Sequence, residues 1–155
     1  MRRSIAVVAL VMGLLAGLLG PAQAESTTVQ GTSVIDKMFV KNGTTAVLAK
    51  VFGTGGKAKV RWVDIRLKGY DGVRYTARGG WYGATWAKSL SRGTHSVSCG
   101  GFTLSYNSTN HFWRFYIPRT CLGKLTNRIK VRAELVTPTS ARPGEAGPTA
   151  WLKRG

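Results

Sequence analysis

The residues able to do acid–base, nucleophilic or metal chemistry are few, and their spacing argues against an enzyme. A glycosidase needs two carboxylates facing each other across a sugar. Beyond residue 24 the chain offers only Glu25, Asp36, Asp64, Asp71, Glu134 and Glu145. Glu25 and Glu145 fall in expected loose ends and Asp71 in an expected turn. Asp36, Asp64 and Glu134 fall on expected strands, with nothing in the pattern that pairs them. His95 and His111 lack the Gly-x-Ser-x-Gly elbow that would present a serine nucleophile. No His-x-His, His-x-x-Glu or Cys-x-x-Cys spacing gathers the three or four ligands a metal needs. The expectation is a non-catalytic protein with no cofactor and no metal site.

Binding chemistry is better supplied. Trp81, Tyr82 and Trp86 crowd into the glycine-rich stretch Gly79–Leu90, read as a looped segment, with Arg74, Arg78 and Lys88 close by. Aromatic platforms among cations hold unpaired bases, and the same combination suits acidic glycans. Against this stands burial, because a small domain with five Trp must place most of them in its core. The candidate binding set is Arg74, Arg78, Trp81, Tyr82 and Trp86. Trp62 with Arg66 and Lys68 forms a second candidate. Lys130 and Arg132 read as the solvated side of a half-buried strand.

Charge sharpens the class of ligand. The chain carries 23 Lys and Arg against 6 Asp and Glu, a net of +17. Such an excess attracts polyanions, whether nucleic acid, cell-wall polymer, lipid head groups or acidic polysaccharide.

The first residues read as an export signal. Arg2 and Arg3 form a basic start, Ile5–Leu19 an apolar run, and Ala22-Gln-Ala24 a cleavage site with small residues where the peptidase reads. Residues 1–24 are therefore expected to be removed, and the protein to be extracellular, with wall association possible from its charge. No later apolar run is long enough to span a bilayer. Cys99 and Cys121, the only cysteines, suit an oxidising compartment and allow a single intramolecular pairing.

The elements that must position these groups are strands. Between the cysteines, Phe102, Leu104 and Tyr106 alternate with small residues, Asn107–Asn110 supplies turn chemistry, and Phe112–Ile117 continues an aromatic run. Pairing Tyr106 with His111, Leu104 with Trp113 and Phe102 with Phe115 would put the large residues of this hairpin on one face. Ser33–Lys41 and Thr45–Phe52 flank Asn42-Gly43, a strong hairpin signal, but both carry apolar residues at odd and even positions, so no core face can be assigned. Val60–Lys68 alternates more cleanly, Val63, Ile65 and Leu67 opposing Trp62, Asp64, Arg66 and Lys68. The cleanest strand is Arg128–Val136, with Ile129, Val131, Ala133 and Leu135 on one side. The glycine-rich Gly53–Lys59 is a loop without P-loop spacing. From Thr137 the chain turns rich in Pro, Gly and small polar residues and is expected to be loosely ordered, with Trp151 docking back.

The segment FYIPRTCLGKLTNRIKVRAEL at Phe115–Leu135 resembles a stretch of small secreted actinobacterial β-sandwich proteins, which share a leader, an early strand–Asn-Gly–strand unit and a Pro-Arg-x-Cys-Leu-Gly ending. The resemblance implies a secreted sandwich with a Cys99–Cys121 bridge and carries no activity with it. The whole reads as an all-β, single-domain antiparallel β-sandwich, immunoglobulin-like or jelly-roll-like, over residues 25–136, with a tail over 137–155. The expected partner is an anionic cell-wall polymer or acidic polysaccharide. The alternative is a protein-binding or inhibitor module acting on a secreted protein partner.

Overall fold

The computed structural model describes residues 24–53, 60–123, 125, 127–139 and 142–155. Residues 1–23 of the expected 1–24 leader and residues 54–59 of the expected Gly53–Lys59 loop lie outside the described residues. The rest is antiparallel β-structure: β1 Ser26–Thr32, β2 Ile35–Asn42, β3 Ala46–Gly53, β4 Trp62–Gly69, β5 Arg74–Tyr82, β6 Thr85–Arg92, β7 His95–Ser96, β8 Thr103–Asn107, β9 Phe112–Pro118, β10 Arg128–Val136, β11 Gly144–Ala146 and β12 Leu152–Lys153. A 3-10 turn, Arg119–Leu122, follows β9.

The all-β class is as expected, but the strands do not separate into two sheets. They form one hydrogen-bonded path, β7-β6-β5-β4-β10-β11-β1-β2-β3-β9-β8, with β12 also on β10. The turning point is β1. Its Ser26–Gln30 pair with β2, while Gly31 and Thr32 cross to β11 opposite Ala146 and Glu145. Gly31 permits the crossing, because a Cβ there would stand 2.2 Å from the Ile35 carbonyl oxygen. The sheet thus curls, and its two halves enclose one core.

Period-two alternation decides what fills that core. Met38, Val40, Val47, Ala49, Val51, Trp113, Phe115 and Ile117 come from one half, and Val63, Ile65, Leu67, Ala77, Ile129, Val131, Ala133 and Leu135 from the other. The halves meet directly where Trp86 of β6 stacks on Trp113 of β9, ring centroids 5.2 Å apart. Nearby, Leu104 of β8 presses so close to β5 that a Cβ on Gly79 would lie 1.9 Å from its Cδ2. Any side chain there would force the Leu104 side chain to move. The Cys99–Cys121 disulfide ties the chain ahead of β8 to the turn after β9.

Two expectations change. In the β8–β9 hairpin Tyr106 pairs with Trp113 and Leu104 with Phe115, a two-residue shift from the expected register. The Asn107 side chain accepts the Asn110 N–H at 2.8 Å, and His111 takes a left-handed conformation (φ 49°) inside a turn that runs to His111 itself. A shift of two preserves the facing, so the large residues still share one side. The tail also departs from the loose one expected over 137–155. Its described part adds β11 and β12 to the sheet, and Leu152 and Thr149 are buried. Buried Asn42 holds it, donating from Nδ2 to the Leu152 carbonyl at 2.8 Å.

Candidate binding surfaces

The Trp81–Trp86 segment is not a loop. It is the tip of the β5–β6 hairpin, with Trp81 directly opposite Trp86 and Tyr82 opposite Thr85. Alternation then splits the expected cluster. Trp81 (39% exposed) points to the inner side, edge-on to Trp86 at 5.6 Å, and Trp86 passes the contact on to buried Trp113. Tyr82 (51% exposed) lies on the outer side with Arg78 and Arg74. The five residues therefore form no single surface.

Arg78 is also committed. Its Nε and a terminal nitrogen donate to the two carboxylate oxygens of Asp64 at 2.7 and 2.6 Å. Asp64 is 0% exposed, so its charge rests on this bidentate pair. The hydrogen bond to Asp64 raises the Arg78 pKa above its ordinary value, against an opposing effect of burial.

The pairing of β4 with β10 sets Asp64 opposite Glu134, a pairing of carboxylates that the strand pattern did not suggest. Arginines offset the repulsion. Arg66 donates to Glu134 at 2.7 Å, and Arg132 lies 3.8 Å from Glu134 and ion-pairs with Glu145. This outer face of β10-β4-β5 is an ion lattice around two buried carboxylates. Trp62, the core of the second candidate, lies under the guanidinium groups of Arg61 and Arg78 at 5.2 and 5.5 Å.

The outer face of the other half is built differently. Three transverse rows cross β1-β2-β3-β9-β8: Gln30–Lys37–Phe52–Phe112–Asn107, Thr28–Phe39–Lys50–Arg114–Ser105 and Ser26–Lys41–Leu48–Tyr116–Thr103. No carboxylate occupies any position in them. Among the described residues none of Lys37, Lys41, Lys50 and Arg114 makes an ion pair. The rings accept the cations instead. The Lys37 ammonium stands 5.1 Å from the Phe52 ring and Lys50 5.0 Å from Phe112, whose rings are 5.2 Å apart. Phe39, Leu48, Phe52, Phe112 and Tyr116 are only part-buried, and a hollow of about 290 Å³ opens between Thr28, Lys37, Phe39, Lys50 and Phe52.

This is the aromatic-and-cation arrangement sought around Trp81, found on another surface. Its sequence signal was the double-sided apolar pattern of β2 and β3, which made those strands unreadable as half-buried ones.

The chain matches no family model and no curated protein. His95 and His111 are both exposed, and the latter's Nδ1 shares a 3.3 Å hydrogen bond with the Tyr106 hydroxyl. Among the described residues no group of three or more His, Cys, Asp or Glu could hold a metal. No helix among them is long and apolar enough to cross a membrane.

Proposed function

We propose that the protein is a non-catalytic, secreted basic module that binds an anionic cell-surface polymer or acidic polysaccharide through the outer face of β2-β3-β9. The observation that carries this reading is that the three transverse rows of this face set Lys37, Lys41, Lys50 and Arg114 among part-exposed rings, with no carboxylate in any row and, among the described residues, no ion pair to any of the four. Exposed Asp36 stands beside Lys37 at the β2 bulge, outside the rows. Unpaired cations supply the salt-sensitive attraction. Part-exposed Phe39, Phe52 and Phe112 offer flat surfaces for sugar rings or other ligand planes. Export is supported by the leader pattern at 1–24 and by the disulfide.

The test is co-sedimentation with isolated cell walls at low and high salt, beside walls stripped of anionic polymer. Salt-sensitive binding that disappears on stripping is the expected result. Absence of binding at low salt would contradict the reading.

The alternative, a protein-binding or inhibitor module, draws its support from the β5–β6 tip, where Trp81 and Tyr82, the last two residues of β5, stand exposed on opposite faces just before a two-residue turn. A protein interface centred there would lose little affinity in salt, unlike a polyanion site.

A further inference from the structure

We propose that the protein has a second anion site, the transverse row Lys130–Lys68–Arg74 on the outer face of β10-β4-β5, and that it thereby bridges two anionic chains. The inference rests on the polyanion reading above and extends it.

Lys130 lies directly opposite Lys68, and Lys68 opposite Arg74. With neighbouring strands about 4.8 Å apart, three cations fall within about 10 Å. Like charges directly opposite each other destabilise a sheet. The two adjoining rows remove that cost with Asp64, Glu134 and Glu145. This row has no acidic member, and among the described residues no carboxylate ion-pairs Lys68 or Arg74. Lys130 is held in place over the Trp151 ring, 5.0 Å from its centroid. The row borders a hollow of about 550 Å³ closed by Gly93 and Pro148. A phosphate or sulfate ester on a polymer matches it: a compact oxyanion with several oxygens to share among three donors.

The two cationic surfaces point away from each other, because the inward residues of β4 and β10 share one core with those of β2, β3 and β9. A stiff anionic segment lying on one face leaves the other open to a second chain. Two such sites on one rigid body convert binding into cross-linking.

The test mixes the protein with long-chain polyphosphate or dextran sulfate at low salt and measures affinity by anisotropy and cross-linking by light scattering. The second-site variant is Lys68→Gln/Arg74→Gln, and the charge-matched control is Arg142→Gln/Arg154→Gln. The second-site variant should bind with less than about threefold loss but scatter roughly tenfold less than the control. Its melting temperature, unchanged or raised, shows that it folds. Scattering by polyphosphate alone assigns the site to phosphate, by dextran sulfate alone to sulfate, and by both to either oxyanion. Equal scattering by variant and control would overturn the second site while leaving the polyanion reading intact. Failure of the unaltered protein to bind either polymer would overturn both.

Discussion

The two outer faces of the curled sheet carry similar cations and settle them by different means. On β10-β4-β5, Arg66, Arg78 and Arg132 are spent on Asp64, Glu134 and Glu145, and the net effect is structural. On β2-β3-β9, Lys37, Lys41, Lys50 and Arg114 meet rings and solvent, with no acid in their transverse rows and no ion pair among the described residues. A count of basic residues treats these faces alike. The second leaves its charge available to a ligand across three rows, the first solely at the row of Lys130, Lys68 and Arg74. Arg119 shows a third fate. It donates to the Asn42 side chain and the Gly43 carbonyl, and burial, with Arg154 adding, lowers its pKa to about 10.

The largest effect that would break this contrast comes from the ion lattice. Arg78→Ala strands a fully buried Asp64, and a loss of about 3–4 kcal/mol is expected in urea unfolding, tempered because Arg78 itself is part-exposed. A loss below 1 kcal/mol would mean that the arginines of this face are not structural. Next comes the aromatic column. Trp86→Ala removes the stack on Trp113 and should cost about 3 kcal/mol, while Trp81→Ala, nearer the surface, should cost about 1 kcal/mol. Equal losses would return the pair to the role of an exposed platform. Replacing Cys99 and Cys121 by Ser opens a loop with a sequence separation of 22 and should cost about 3 kcal/mol by the same assay. The smallest effect is opposite in sign. Lys68→Gln/Arg74→Gln relieves repulsion and should stabilise by about 0.5 kcal/mol at low salt, with the gain vanishing as salt rises.

Much of the fold was legible because β4 and β10 alternate cleanly, and their inward residues are those the pattern named. The hairpin between the cysteines was legible in its facing but not its register, since the four-residue turn sits one residue later than expected, at 108–111, with His111 in the left-handed conformation. The tail was misjudged from composition, because what docks it lies elsewhere in the chain: the β1 and β10 ladders and the Asn42 side chain, the last about 110 residues earlier. The binding face was hidden for a related reason. A strand apolar on both sides reads as fully buried or unassignable, and only the neighbours across β2, β3 and β9 show that Phe39, Leu48 and Phe52 look outward. The Asp64–Glu134 pair needed the same knowledge, because β4 and β10 are far apart in sequence.

The most direct test of the contrast is the salt dependence of polyphosphate affinity for Lys50→Gln/Arg114→Gln beside Arg66→Gln. Loss of two free cations should weaken binding steeply at low salt and flatten the log–log salt slope by about 1–2, whereas Arg66→Gln, already neutralised by Glu134, should change the slope by less than about 0.5. Equal slopes for the two variants would contradict the assignment of the β2-β3-β9 face as the binding surface.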